Sequence, residues 1–212
     1  TVYTSFLKGA SLYLGTYQGL FVKDITNSFS EPKLVNNSTE QIWNIDEVDG
    51  DLIVGSDKGL SVVRDNSLET IHLEGGAWTF IKHPKIENLM YVGFYSGVAV
   101  FKKINNQWNF IRKFENFGES SRFLEFDQYN QLWVAHPSKG YYRLKLSDSA
   151  TELTDVEFYG VENKNISTYA YFCKIDGNLV FYNPEGFFYY DAIANEFIKA
   201  NFNNTLFTYS LS

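Results

Sequence analysis

The sequence has few of the residues on which several classes of function depend. Cys173 is the single cysteine in 212 residues. An intrachain disulfide is therefore excluded, and we expect this thiol to be a small buried side chain on a strand. There is no run of Lys and Arg, and the formal net charge is −7. These features argue against contact with nucleic acid or with an anionic membrane surface through a basic patch.

Long hydrophobic runs are missing as well, and none approaches the roughly 20 residues of a membrane helix. The sequence also has no starting methionine and no secretory signal peptide. It begins inside a segment with the pattern of a strand, "TVYTSFLK". We therefore interpret the chain as a fragment or a processed piece of a longer protein.

Aromatic residues are abundant, at 18% of the chain with 15 Tyr and 19 Phe, whereas there is a single Met. Aromatic and β-branched side chains fit the half-buried surface of a pleated sheet. With 44% hydrophobic residues the chain can build one sizeable core. The composition therefore favours an all-β protein.

One motif occurs five times, and each copy has an apolar run, a short variable segment and then a glycine. The copies are "LYLGTYQGLFVKD" (12–24), "LIVGSDKGLSVVRD" (52–65), "MYVGFYSGVAVFKK" (90–103), "LWVAHPSKGYYRLK" (132–145) and "LVFYNPEGFFYYD" (179–191). The aligned glycines, which are 40, 38, 43 and 46 residues apart, are Gly19, Gly59, Gly97, Gly140 and Gly186. So regular a spacing indicates a repeat architecture.

Each copy extends in both directions to four short strands, which we call A to D in chain order. Strands A and B are joined by turns such as "DGD" (49–51) and "DGN" (176–178), and Asp-Gly between apolar runs is a strong hairpin signal. The B strands are apolar at consecutive positions, as expected for strands covered on both faces. We predict a β-propeller of four-stranded antiparallel blades, with five blades at about 1–38, 39–75, 76–118, 119–162 and 163–202.

The remaining segment, 203–212, allows two interpretations. Its "TLFTYSLS" is similar to the opening "TVYTSFLK", so it could be the first strand of a sixth blade in an open arc that is part of a larger propeller. Alternatively, it could pair with the first blade and close a ring of five blades. We favour the open arc.

The motif "LxVGTxxGLxxxD", preceded by an apolar strand and an Asp-Gly turn, resembles the two-component regulator propeller repeat. The segment "FGESSRFLEFDQYNQLWVAHPSKGYYRLKL" (117–146) is similar to propellers that precede a triple-tyrosine immunoglobulin-like domain in transcriptional regulators. Copies four and five depart from the pattern at the first glycine, where they have Ala135 and Tyr182. The resemblance implies a periplasmic sensor region of an inner-membrane protein, with no shared catalytic residues.

Motifs for chemistry are weak by comparison. "GTYQGL" lacks the Lys-Ser/Thr and the helix of a phosphate loop. The acidic turns 46–51 and 176–178 are explained as hairpins, because other copies fill the same place with "KGAS" and "YNQ". His72, His83 and His136 lie in three different units without the spacing of a zinc site. We therefore predict no catalytic residue, no metal ion and no cofactor.

Ligand-binding residues are expected where the sequence varies between copies, in the B–C and D–A loops at one end of the propeller. Tyr, His, Lys and Asn side chains around one rim suit a sugar or another polar molecule. The candidate residues are Tyr17, Gln18, Asp57, Lys58, Tyr95, Arg122, His136, Lys139, Asn183 and Glu185.

Three functional hypotheses follow. The first is a non-catalytic extracytoplasmic sensor propeller of a bacterial two-component or membrane-anchored transcriptional regulator, which binds a small molecule such as a glycan. The second is a propeller scaffold for protein–protein contact or homodimerisation. The third and weakest is a lyase-like enzyme, by analogy with virginiamycin B lyase, a propeller of similar short repeats that uses a His, acidic residues and magnesium.

Overall fold

The computed structural model describes residues 1–200, which form five four-stranded antiparallel sheets. The first sheet contains β1 (Val2–Lys8), β2 (Ser11–Thr16), β3 (Gly19–Asp24) and β4 (Lys33–Leu34). The second contains β5 (Ile42–Val48), β6 (Asp51–Ser56), β7 (Gly59–Arg64) and β8 (Ser67–Leu73). The third contains β9 (Thr79–Lys82), β10 (Leu89–Phe94), β11 (Gly97–Ile104) and β12 (Gln107–Lys113).

The fourth sheet contains β13 (Phe123–Phe126), β14 (Leu132–His136), β15 (Gly140–Leu146) and β16 (Leu153–Tyr159). The fifth contains β17 (Tyr171–Ile175), β18 (Asn178–Asn183), β19 (Gly186–Asp191) and β20 (Glu196–Lys199). Within each sheet the strands pair in chain order, and the A strands of successive sheets contact one another. The sheets are thus propeller blades with strand A innermost, which confirms the predicted all-β propeller with five blades. No helix in residues 1–200 is suited to cross a membrane.

The A–B turns of blades 2 and 5 have the geometry expected from Asp-Gly. Asp49 and Gly50 have φ angles of 47° and 84°, and Asp176 and Gly177 have 49° and 79°. Positive φ at both central residues is the signature of a type I′ hairpin turn. These segments are therefore hairpins, as predicted.

The hydrophobic core is divided into four clusters, each between two neighbouring blades. One joins blades 1 and 2, one joins blades 2 and 3, one joins blades 3 and 4, and one joins blades 4 and 5. The interior B strands β6 and β10 are buried at every residue, whereas β2 of the first blade is mostly half-buried. The predicted burial of B strands on both faces is confirmed for blades that have two neighbours.

Within residues 1–200, no hydrophobic cluster joins the first blade to the fifth. The first and fifth of the described blades therefore share no core, and we call this series of five blades the arc. The expectation of an open arc rather than a closed ring involves residues 203–212 and stays a prediction. The predicted sixth-blade or ring-closing strand, 203–212, lies outside the described residues.

The prediction of a buried Cys173 is wrong. Cys173 lies on strand β17, as predicted, but it is exposed. Its neighbours Phe172 and Lys174 face blade 4, where Phe172 joins the core and Lys174 pairs with Glu125 at 2.7 Å. Because side chains alternate along a strand, Cys173 points to the opposite face of the last described blade.

The second glycine of each motif copy starts strand C, and in the first four copies it lies against the backbone of strand D or of the segment that follows strand D. Gly59 has φ of 145°, and a Cβ placed there would overlap the carbonyl oxygen of His72. Gly97 has φ of 108° and is crowded in the same way by the carbonyl oxygen of Phe117. All five aligned glycines have positive φ, and four of them closely approach a backbone carbonyl oxygen. The fifth, Gly186, has only the Lys199 side chain nearby, at 3.5 Å.

Candidate functional site

The B–C turns and D–A linkers lie at one end of the arc, which we call the loop end. In an antiparallel blade, strand B ends where strand A began, so both kinds of connection fall on the same side. Hydrogen bonds link them directly. The Asp57 N–H donates to the carbonyl of Gln41 at 3.0 Å, and the Gln41 N–H donates to the Asp57 carboxylate at 2.9 Å. Hydrogen bonds therefore connect turns and linkers at the loop end, so they are not independent loops.

Side chains at the start of four successive A strands, or directly before it, form a continuous row at the loop end. We call this set, Tyr3, Trp43, Trp78 and Arg122, the ring row. The centroids of Tyr3 and Trp43 are 5.6 Å apart, and those of Trp43 and Trp78 are 4.6 Å apart. The Arg122 guanidinium lies 4.9 Å from the Trp78 ring, a cation–π distance. The row therefore crosses the inner side of blades 1 to 4.

The row continues as separate aromatic pairs toward blade 5. Arg122 also lies 5.7 Å from the ring of Phe123, and Phe123 lies 5.5 Å from Tyr171. Tyr171 in turn stacks on Tyr182 at 5.5 Å. Tyr182 occupies the place of the motif's first glycine, so blade 5 has a ring where the first three blades have Gly15, Gly55 and Gly93.

The polar groups of the ring row are incompletely paired. The indole N–H groups of Trp43 and Trp78 are buried and have no hydrogen-bond acceptor in the described part of the chain. Arg122 is exposed and forms no ion pair with any of residues 1–200. A buried donor without an acceptor lowers stability by about 1–3 kcal/mol. The row thus retains polar groups that do not contribute to the stability of the fold.

Tyr95 and Arg122, both sequence candidates, meet at Trp78. The Tyr95 ring lies edge-on to Trp78 at 5.1 Å, and it covers Gly76, where a Cβ would overlap the ring. Tyr95 is nevertheless 44% exposed. An exposed tyrosine, an indole face and a guanidinium are therefore assembled around one point.

Tyr17 and Gln18 extend the ring row at its other end. With Tyr3 and Phe21 they line a surface recess of about 400 Å³ on blade 1. Tyr17 is 65% exposed, so its ring is accessible. The predicted Tyr17 and Gln18 and the ring-row residue Tyr3 thus share one recess.

His136 and Lys139 of the fourth B–C turn meet Glu119 of the third D–A linker. The Lys139 ammonium lies 2.7 Å from the Glu119 carboxylate, and the His136 Nε2 lies 3.8 Å from the same oxygen. The His136 Nδ1 accepts the N–H of Ser138 at 3.2 Å. The carboxylate is therefore paired mainly with the lysine, and the imidazole is held at its side.

These contacts shift two pKa values. The hydrogen bond from Lys139 lowers the pKa of Glu119, against an opposing effect of burial. Burial lowers the pKa of His136, the Lys139 charge lowers it further, and the Glu119 charge raises it. At neutral pH this cluster therefore holds a carboxylate, an ammonium and a neutral imidazole.

We expect a pH effect on stability from His136. Its folded pKa lies below the ordinary value of about 6.5, so below that pH the unfolded chain binds protons that the folded chain does not. The histidine's contribution is fully present above pH 6.5 and is lost as pH falls through the folded pKa. In melting curves between pH 7.5 and 5, His136→Gln should flatten the acid decline. His83, whose pKa is also lowered by burial, is the second histidine to replace.

The remaining candidates have structural contacts or stand apart. Asn183 donates to the carbonyl of Asn165 at 2.8 Å and accepts the Glu185 N–H at 2.9 Å, so it fixes the fifth B–C turn. Glu185 is exposed. Lys58 is exposed and lines a different cavity from the ring row. The ten candidates therefore share the loop end but do not converge on one point.

Residues 1–200 contain no group of three His, Cys, Asp or Glu side chains placed to hold a metal ion. His83 caps its own loop, because its Nδ1 accepts the N–H groups of Lys85 and Ile86. His72 stacks on Phe110 at 4.6 Å. These two histidines therefore have packing and hydrogen-bonding roles.

Tyr3, Trp43 and Trp78 were not among the predicted site residues. Counting backward along the sequence from strand B aligns Trp43 of blade 2 with Phe123 of blade 4. Register irregularities at Tyr3 and Trp43 shift the A strands of blades 1 and 2, so this alignment differs from the structural one. In the structure, each ring-row residue directly precedes the residue paired with the motif's first glycine or its replacement Ala135. Trp43 and Trp78 recur at equivalent places in blades 2 and 3, and this recurrence was the sequence signal that could have identified the ring row.

Solved structures with the same fold include extracellular domains of bacterial one component and hybrid two component systems. No family model and no curated protein matches the sequence. The extracellular domain of BT4673 from B. thetaiotaomicron, described as part of a one component system, superposes with a TM-score of 0.66 at 17% identity. The match covers 85% of this chain and 26% of that one, so this chain spans about a quarter of its length.

Two further structures are similar at lower identity. The Dos1 propeller gives a TM-score of 0.64 at 16% identity, over 94% of this chain and 58% of that one. An auxiliary nutrient binding protein from Bacteroides ovatus gives 0.55 at 14%, over 86% and 52%. These similarities show the propeller fold.

Proposed function

We propose that this chain is a non-catalytic part of the periplasmic sensor propeller of a bacterial signalling regulator. The repeat motif resembles that of such regulators, and the fold is shared with an extracellular domain described as part of a one component system. The arc supplies the inner A strands on which a ligand would lie. Signalling would then depend on how a bound ligand changes the packing of neighbouring blades.

The proposed ligand is a carbohydrate, and the ring row is its proposed site. Sugar rings present C–H faces that pack on aromatic rings and hydroxyl groups that bond to polar edges. Trp78 offers such a face between Tyr95 and Arg122. The unpaired indole N–H groups of Trp43 and Trp78 are donors for which sugar oxygens are suitable acceptors after a small ring rotation.

The continuity of the ring row is the observation that carries this proposal. A single exposed aromatic residue is ordinary on a protein surface. Here three rings and a guanidinium from four successive blades are in contact over distances of 4.6 to 5.6 Å. An oligosaccharide of several units would contact several blades at once.

Binding is tested by screening a panel of oligosaccharides for a rise in melting temperature, followed by titration of the best ligand. Trp78→Ala is expected to weaken binding about tenfold or more, because loss of one stacked aromatic face corresponds to about 1–2 kcal/mol. The matched control is Phe29→Ala, which removes a ring that is 92% exposed in the C–D loop of blade 1. The control should bind as tightly as the unmodified chain.

Two results would contradict the proposal. If Trp78→Ala and Phe29→Ala bind a glycan equally well, the site lies elsewhere. If no glycan raises the melting temperature while the chain forms a concentration-dependent dimer, the scaffold hypothesis explains the protein better.

A further inference from the structure

A second cavity at the loop end lies on blade 2 and contains none of the ring-row residues. Its volume is about 180 Å³. It is bounded by the linker between blades 1 and 2, by the B–C turn of blade 2, and by strands β7 and β8. The polar lining residues important here are Asn37, Glu40, Lys58, Ser61, Thr70 and His72.

Two opposite charges line this cavity without neutralising each other. The Lys58 ammonium forms no ion pair with any of residues 1–200, Glu40 included. The Glu40 carboxylate forms none either within the same range, and it accepts one hydrogen bond, from the N–H of its neighbour Thr39 at 2.9 Å. The cavity therefore presents one cationic and one anionic group, each free to bind a ligand group of opposite charge.

Ser61 adds a buried polar group to the same lining. It is 6% exposed, and its hydroxyl has no hydrogen-bond partner in the described chain. The nearby Ser56 differs, because its hydroxyl accepts the N–H groups of Lys58 and Gly59 at 3.2 Å. Because Ser61 lines the cavity and its hydroxyl is unpaired, it is a third group available to a ligand.

In two other cavities the lysine and arginine side chains are already paired with carboxylates. In the cavity between the outer strands of blades 3 and 4, Arg112 pairs with Glu152 at 2.7 Å. In the cavity between blades 1 and 2 at the opposite end, Lys8 pairs with Glu47 at 2.8 Å. Unpaired opposite charges therefore distinguish the blade 2 cavity from both.

We propose that the blade 2 cavity binds a small zwitterion, namely a free α-amino acid. Its carboxylate would bind the Lys58 ammonium, and its ammonium would bind the Glu40 carboxylate. The Ser61 hydroxyl would bond to either end. The volume suits a molecule of this size, and charge-assisted hydrogen bonds are the stronger class.

The proposal is tested with three matched ligand sets on the intact chain. Free amino acids, their N-acetyl derivatives and their amides are titrated by calorimetry at low salt. Binding is expected for at least one free amino acid. Its N-acetyl derivative lacks the ammonium, and its amide lacks the carboxylate. Each of these should bind at least about tenfold more weakly than the free amino acid.

Substitutions locate the site. Lys58→Met and Glu40→Gln should each weaken binding about tenfold or more, whereas Lys85→Met and Glu87→Gln, in the A–B loop of blade 3 at the opposite end, should have no effect. Trp78→Ala should also leave amino-acid binding unchanged, which separates this site from the proposed glycan site. The proposal is overturned if no free amino acid binds at 10 mM, if the blocked derivatives bind equally well, or if Lys58→Met binds normally.

Discussion

Replacing Trp133 with Ala is expected to destabilise the protein by about 3–5 kcal/mol, the range for removal of a large aromatic side chain from a core. Trp133 is fully buried between blades 4 and 5. Its ring lies 4.8 Å from Phe181 and 5.0 Å from Tyr190. Its indole N–H donates to the Asp127 carboxylate at 2.9 Å. The substitution would therefore open a cavity and remove a donor from a buried carboxylate.

Urea unfolding of two further variants separates these effects. Trp133→Phe retains a ring but loses the N–H, so we expect a smaller loss. Tyr169→Ala removes an aromatic side chain that is 61% exposed and should change the free energy of unfolding by less than about 0.5 kcal/mol. Equal stability of Trp133→Ala and Tyr169→Ala would show that blades 4 and 5 are not held by this core.

Gly59→Ala is the second substitution for which we expect a large effect, a loss of about 3 kcal/mol or more. At φ of 145° an L-residue is strained. The added Cβ would also overlap the carbonyl oxygen of His72, which belongs to strand β8 and cannot retreat without breaking the β7–β8 pairing. The backbone strain and the steric overlap both lower the stability of the folded protein.

Gly118→Ala is the matched control, because a Cβ there would meet no atom within 4 Å and its φ is not positive. We expect its melting temperature to be unchanged or slightly raised, since Ala restricts the unfolded chain. If Gly59→Ala melts at the same temperature as Gly118→Ala, the glycines of the motif have a role other than backbone geometry.

The repeat made the fold predictable, because backbone requirements recur at fixed places. Gly59 and Gly97 begin strand C beside a backbone carbonyl of strand D or of the segment after strand D, and Asp49 with Gly50 form a type I′ turn. Only glycine adopts this positive φ beside a neighbouring backbone carbonyl without strain. Such positions can be identified from sequence because they depend on local geometry and not on distant partners.

The candidate site was predictable only in part. Tyr95 and Arg122 were found because they lie in variable loops. Trp43 was missed because a one-residue register shift in strand A is invisible to residue counting. Trp78 was missed because the longer A–B loop of blade 3, residues 83–88, changes its distance from strand B. Cys173 was misplaced for a related reason, since its exposure depends on which face of β17 meets a neighbouring blade.

In residues 1–200, each hydrophobic cluster lies between two blades and none lies within a single blade. The arc is therefore a one-dimensional lattice with nearest-neighbour coupling. In such a lattice a disturbance in one blade is felt directly only by the next. A molecule lying along the ring row would contact blades 1 to 4 together. It would thus couple blades that share no core. The occupied arc would respond as one unit, whereas in the empty arc each blade would affect only its direct neighbours.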